Sequence, residues 1–308
     1  MTLTELRYIV ALQQTEHFGK AAEKCFVSQP TLSVAIKKLE EELNVSLFER
    51  TRNQVRVTPL GDKIVRQAQV VLEQTGLIHE LADSGKDVLA STLSIGAIFT
   101  VGPYLFPHFV PELQKSAPKM PLYIEENYTA SLRQKLRNGE LDAIIIALPF
   151  NEPDVVTQKL YEEPFIVLLH SDHPLCQQES ITAKQIEGEK VLLLGEGHCF
   201  RDQVLDACPA LKQSLSNTTD NLQSVVEGSS LETLKHMVAS KLGITILPQS
   251  ATQWDHYSDG TLSTRPFISA ASTRTVALAW RASFPRHKAI DVLSQSIRQN
   301  QPGVRHLT

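Results

Sequence analysis

Nowhere in its 308 residues does this chain stay apolar for the roughly 18 positions that a membrane-crossing helix needs. Its start has no basic stretch leading into an apolar run and a small-residue cleavage site, so a cytoplasmic protein is predicted. Cysteine is scarce: Cys25, Cys176, Cys199 and Cys208 are too few for a disulfide scaffold. In a reducing compartment any bond between two of them would be transient or regulatory. No phosphate-binding glycine loop, dinucleotide fingerprint, nucleophile elbow or metal-ligand spacing occurs. That predicts a protein that is not an enzyme and holds neither metal nor cofactor. His170 and His173 stand three apart before Pro174 and, with no thiolate or carboxylate partner read for them, are taken as solvated.

What is present is ordinary globular composition, 42% hydrophobic and 21% charged, long enough for two or three domains. The net charge of −4 is uneven: residues 1–66 carry ten Lys/Arg and eight Asp/Glu, +2, which leaves −6 for the remainder. In that first segment Leu3, Leu6, Ile9, Val10 and Leu12 recur at helical spacing, and Ala21, Ala22 and Cys25 follow a break at 17–19. Cys25 falls on an apolar face and is read as core. Ser28 is a suitable N-cap and Pro30 a tolerated first-turn residue. Leu32, Ile36, Leu39 and Leu43 then carry an apolar face to Asn44, which can take a left-handed C-cap. This is a helix-turn-helix pattern, whose second helix offers Ser28, Gln29, Pro30, Thr31 and Ser33 toward base edges and Lys37 and Lys38 toward phosphate. Arg50, Arg52 and Arg56 mark a basic hairpin suited to the DNA backbone.

Phe18, Ala21-Ala22, Ser28-Gln29-Pro30, Ser33, Ile36, Leu39-Glu40, Leu43, Leu47-Phe48, Arg50, Arg52, Thr58 and Gly61 stand, without a gap, at the spacing of the LysR-type winged helix-turn-helix. The segment resembles that family throughout, with Asn44 where glycine is usual. The resemblance implies an N-terminal all-α winged helix-turn-helix at residues 1–58. It also implies a linker and dimerisation helix with its hinge at 59–87, and a regulatory domain at 88–308.

The linker is predicted as one helix from Thr58 to about Asp83, hinged at 84–87. Ile64, Ala68, Val71, Thr75, Ile78 and Ala82 form a coiled-coil stripe, widened by Val65, Leu72 and Leu81, which points to pairing with a second copy. Beyond it strands are predicted at Leu89–Ala97, Leu122–Glu126, Asp142–Ala147, Phe165–His170, Val191–Leu194, Ile244–Pro248 and Thr275–Trp280. Helices are predicted at Tyr104–Lys115, Leu132–Asn138 and Leu231–Ser240, with a last one over about 286–299. Buried strands alternating with helices argue for parallel α/β sheets. The family resemblance implies an α/β regulatory domain of two subdomains, like a periplasmic binding protein, near 88–162 with 268–308 and near 163–267.

Gly197-His198-Cys199-Phe200-Arg201-Asp202 sets one cysteine between two potential cations at the predicted start of a short helix, an environment that favours thiolate. Cys208 follows nine residues later. If 201–208 is helical the two lie about 13 Å apart at ~1.5 Å rise per residue, whereas a disulfide needs Cα atoms within about 7 Å. Bonding would require the helix to refold. The stretch resembles the redox segment of OxyR-type peroxide sensors, a branch of the LysR family, and the likeness extends to 95–105, 230–234 and 243–248.

That resemblance implies Cys199 as the peroxide-reacting cysteine and Cys208 as the resolving one. It places Thr100, Thr129 and His198 around the peroxide, has Arg274 stabilise the thiolate and the leaving hydroxide, and has Asp202 orient the network or relay a proton. The implied protein is a homotetrameric activator of oxidative-stress genes that meets promoter DNA and RNA polymerase and is reset by a glutaredoxin- or thioredoxin-type reductant. Phe200, where a smaller aliphatic residue is common, is expected under the helix, and residues 209–229 are expected to form a long polar loop. Two rivals are a LysR regulator gated by a small metabolite, its cysteines structural, and a thiol peroxidase with an accessory DNA-binding domain.

Overall fold

The computed structural model describes residues 1–50, 55–82, 89–216, 225–252, 260–300 and 305–306. Arg52, the hairpin tip, the hinge at 84–87 and residues 217–224 lie outside them. The chain divides into two compact units, one built mainly on Met1–Val88 and the other on the residues that follow.

The first unit begins with α1 (Leu3–Thr15), closed by a reciprocal cap in which Thr2 accepts from the Glu5 amide and the Glu5 carboxylate accepts from the Thr2 amide. α2 (Phe18–Lys24) starts at His17, whose Nδ1 accepts from the Gly19 and Lys20 amides. α3 (Gln29–Leu43) starts at Ser28 and stops at Asn44 with φ 53°, the left-handed conformation asparagine tolerates. Ile9, Leu12, Ala21, Leu32, Ile36, Leu39 and Leu47 are fully buried among these helices. β1 (Phe48–Arg50) and β2 (Val55–Val57) pair antiparallel as the wing. α4 (Pro59–Ala82) follows, and its Gly61 is required: a Cβ there would lie 2.1 Å from the Leu47 carbonyl oxygen. The stripe read along α4 is divided. Val65 and Ala68 are buried in the core of the first unit, and Ile64, Val71 and Leu72 pack against it, whereas Ile78 is 64% exposed.

The second unit has two lobes. The first contains β3 (Leu93–Ile98), α5 (Gly102–Ser116), β4 (Leu122–Asn127), α6 (Thr129–Arg137) and β5 (Ala143–Ala147). The long β6 (Val155–His170) leads into the second, with β7 (Ile181–Thr182), α7 (Ala183–Ile186), β8 (Val191–Leu194), α8 (Cys199–Ala207), α9 (Pro209–Ser216), β9 (Val225–Gly228), α10 (Leu231–Ala239), β10 (Ile244–Pro248) and β11 (Leu262–Ile268). β12 (Thr273–Arg281) and α11 (His287–Gln299) complete the unit's main elements, β12 returning to the first lobe. There the strand order is β4-β3-β5-β12-β6. β6 changes partners at Pro164/Phe165: its first part pairs with β12, its second with β10 and β11. Proline has no N–H to give a ladder, which suits it to that junction.

The sheets are mixed, not wholly parallel as the sequence suggested. β3 runs parallel to β4 and β5, and β8 to β9 and β10, but β6 and β12 are antiparallel to their neighbours. The expected polar loop over 209–229 is also corrected. Pro209 opens α9, Leu211 buries itself in the second lobe's core, and residues 225–228 form an edge strand beside β8.

Candidate functional site

Cys199 is the first residue of α8 and is partly buried. The chain reaches it through Gly197, at φ +92°, where a Cβ would meet the Tyr128 ring at 3.3 Å. Glycine gives both the backbone turn and the close approach. The thiol lines a cavity of about 170 Å3, much of it mouth, between Ile98, Phe99, Thr100, Asn127, Tyr128 and Thr129 of the first lobe and Gly197 and His198 of the second. Its interior takes about one water-sized molecule. A metabolite does not fit.

His198 is buried, with its ring 4.8 Å from that of Tyr128 and 5.9 Å from that of Phe99. Burial lowers its pKa against the opposing pull of a hydrogen bond to the Ser229 backbone. The imidazole is therefore neutral at physiological pH, and the sequence reading of a cation beside Cys199 is corrected. Arg201 is corrected too: it donates to the Leu194 carbonyl at 2.7 Å and pairs with Glu227 at 2.6 Å, within its own lobe. Asp202 is exposed and meets no described residue in a hydrogen bond or ion pair.

Thr100 and Arg274 do meet. Arg274 Nη1 donates to Thr100 Oγ1 at 2.9 Å and Nη2 to the Thr100 carbonyl at 2.8 Å. The guanidinium is fully buried, lies 5.1 Å over the Phe200 ring and is neutralised by Glu163, also fully buried, at 2.6 Å. Glu163 escaped the sequence reading because an acidic pair before proline reads as solvated. Thr129 Oγ1 is buried without a partner among the described residues. Such a hydroxyl calls for a partner that the described residues do not supply.

Cys208 caps the far end of α8 and is 2% exposed. Burial, with the nearby charge of Glu187, pushes its thiol up to about 11. Phe200 is buried edge-on against Phe165 at 5.1 Å, and Val204, Leu205 and Ala207 share the same core. At ~1.5 Å per residue the intact helix holds the two cysteines about 13 Å apart. Joining them would pull this face out of its packing.

In the first unit Ser28, Gln29, Pro30, Thr31 and Lys37 are exposed at the start and along the outer side of α3, and Ser33 is half-buried. Ser28 Oγ accepts from the Thr31 amide and shares a 2.7 Å hydrogen bond with the Thr31 hydroxyl, so both are engaged in capping. Lys37 pairs loosely with Glu41 at 3.7 Å, both well exposed. Val34, 68% exposed on this helix, went unread because a lone valine there looks like core; such a group suits a thymine methyl. Arg50 ends β1. Elsewhere, His170 and His173 do have carboxylate neighbours, Asp172 at 3.6 Å and Glu189 at 3.3 Å, which corrects the reading of two solvated rings. No group of three or more potential metal ligands occurs among the described residues.

The model of the bacterial regulatory helix-turn-helix protein, lysR family, matches residues 3–62, and that of the LysR substrate binding domain matches 86–302. The DNA-binding transcriptional dual regulator OxyR of Escherichia coli (strain K12) is 37% identical over 303 residues, 98% of this chain and 97% of its own length. Full-length OxyR C199D from Pseudomonas aeruginosa is 57% identical, covers 99% of each chain and superposes with a TM-score of 0.81. An H2O2-bound cysteine-to-serine variant of Corynebacterium glutamicum OxyR is 31% identical, covers 97% of this chain and 92% of its own, and gives a TM-score of 0.62.

Proposed function

The chain belongs to the LysR family of bacterial regulators, on its OxyR branch, and from that premise we propose that it is a hydrogen peroxide-sensing, DNA-binding transcriptional activator of oxidative-stress genes. The observation that carries this reading is the thiol at a cavity of one-molecule size, beside a buried hydroxyl that lacks a partner among the described residues. Peroxide is small enough to enter, and both donates and accepts hydrogen bonds, as a threonine hydroxyl does.

The Cys199 thiolate attacks one peroxide oxygen. An S–O bond forms as the O–O bond breaks, leaving a sulfenic acid and a hydroxide that takes up a proton to become water. Cys208 then condenses with the sulfenic acid, forming the disulfide and releasing a second water. Neutral His198, one nitrogen engaged at Ser229, keeps a lone pair on the other that can accept a proton. Because α8 cannot survive the bond, oxidation drives a two-state element, and the switch is read out at the DNA-facing helices.

The exposed end of the α4 stripe at Ile78 supports pairing through that helix, and two such pairs would make the homotetramer. RNA polymerase as the activated partner, a glutaredoxin- or thioredoxin-type reductant and a cytoplasmic setting complete the proposal; no helix among the described residues is long and apolar enough to cross a membrane. The size of the cavity at Cys199 favours peroxide over a metabolite as the molecule bound beside that thiol. DNA footprints with and without peroxide test the reading. The wild-type footprint should change and that of Cys199→Ser should not; a peroxide response that survives in Cys199→Ser refutes the sensor.

A further inference from the structure

Resting on the peroxide reading, we infer that Glu163 is a positioning residue for the first oxidation step: it fixes the Arg274 fork so that the Thr100 hydroxyl is left to donate to the leaving oxygen. Glu163 touches neither thiol nor cavity. It is the cross-strand partner of Arg274, on β6 next to the junction where that strand passes from one lobe to the other. Three contacts fix it: Arg274 Nε at 2.8 Å, Arg274 Nη2 at 2.6 Å, and the Ser250 amide at 3.0 Å. Both side chains of the pair are fully buried.

With Nε and one edge of Nη2 held by the carboxylate, the remaining guanidinium donors face Thr100. Arginine can only donate, so Thr100 Oγ1 is the acceptor in that bond. Its own proton has no other partner among the described residues, and Thr100 forms part of the cavity wall beside Cys199. The hydroxyl is thus polarised by a cation behind it and points its donor capacity at the bound molecule. As the O–O bond breaks, negative charge develops on the departing oxygen, and a preset donor stabilises that charge. Without the carboxylate the guanidinium would be free to rotate off Thr100, and the hydroxyl could turn its lone pair to the cavity instead.

A carboxylate that acts only by its charge and one that acts by its placement are separated by Glu163→Asp, which keeps the charge and shortens the reach by one methylene. The reacting chain is the full-length reduced protein, with two electrophiles at Cys199: hydrogen peroxide, whose leaving oxygen needs a donor, and iodoacetamide, whose iodide does not. The expected result is a fall of about tenfold or more in the peroxide rate constant with the iodoacetamide rate within twofold of wild type. In a Thr100→Val background, itself slowed by ~100-fold or more through loss of the donor, Glu163→Asp should add less than twofold, because the two act as one unit.

Equal losses with both electrophiles, additive losses across the two backgrounds, or a wild-type peroxide rate in Glu163→Asp would each overturn the assignment. If Glu163→Asp does not fold, Arg274→Lys carries the same cycle, since lysine keeps the charge and lacks the fork. A wild-type chain whose Cys199 gives no sulfenic acid with peroxide would instead overturn the peroxide reading itself.

Discussion

Thr129 separates function from stability more cleanly than any other residue at the site. Its buried hydroxyl has no partner among the described residues, so Thr129→Val removes a polar group whose burial they leave uncompensated, and the unfolding free energy should change by less than about 1 kcal/mol or rise. If the hydroxyl serves bound peroxide, the same variant should lose about tenfold or more in the Cys199 oxidation rate. A large loss of stability with an unchanged rate would show instead that the hydroxyl is structural. Cys208 makes a second case. Its thiol is raised from 9.0 to about 11 by burial, so the neutral form is favoured in the folded state. That stabilisation is complete below about pH 9 and is lost as the pH rises through about 11. Between pH 8 and 10.5 the wild type should lose about 2 kcal/mol more than Cys208→Ser, at ~1.4 kcal/mol per unit; parallel losses in urea titrations would place Cys208 outside the buried core of α8.

Among elements, α3 is the one whose ends carry the most testable chemistry. Ser28→Ala removes the N-cap and frees the Thr31 hydroxyl, and should cost about 1 kcal/mol. Asn44→Gly at φ 53° should be neutral or stabilising, while Asn44→Ala should destabilise; thermal melts of the three variants check the order. α3 was legible in the sequence because cap, proline, apolar face and left-handed stop all agreed. α8 was legible for its two cysteines, and its length follows from Phe200, Val204 and Ala207 packing inward. β6 was read only over its last six residues. Its first part neither alternates nor stays apolar, with Val156 and Thr157 both exposed and Leu160 and Tyr161 both buried, so a run carrying Gln158, Lys159 and Glu162 lacks the signature of a buried strand. Glu163 was hidden for the same reason. Only tertiary packing makes it a buried ion. α9 and β9 were missed because Ser, Gln and Glu mask the buried Leu211 and Gly228.

At the scale of the molecule, the fold puts a small reactive cavity where two lobes meet and starts at that point a helix which the reaction product cannot keep. β6 runs from the first lobe into the second, and Glu163 lies on it at the junction with Arg274 opposite on β12. The core holding α8 includes Phe165, the first residue of β6 beyond the junction. Unwinding α8 therefore removes contacts from the element that joins the lobes, a physical route from thiol chemistry to domain rearrangement. Cys25 and Cys176 stand apart from this path, the one half-buried at the end of α2, the other donating to the His170 carbonyl at 3.3 Å. The most direct measurement is peptide mapping of the full chain after one equivalent of hydrogen peroxide, with free thiols counted before and after. Loss of two thiols with a single Cys199–Cys208 bridge is the expected result; a bridge involving Cys25 or Cys176, or four thiols still free, would contradict the account.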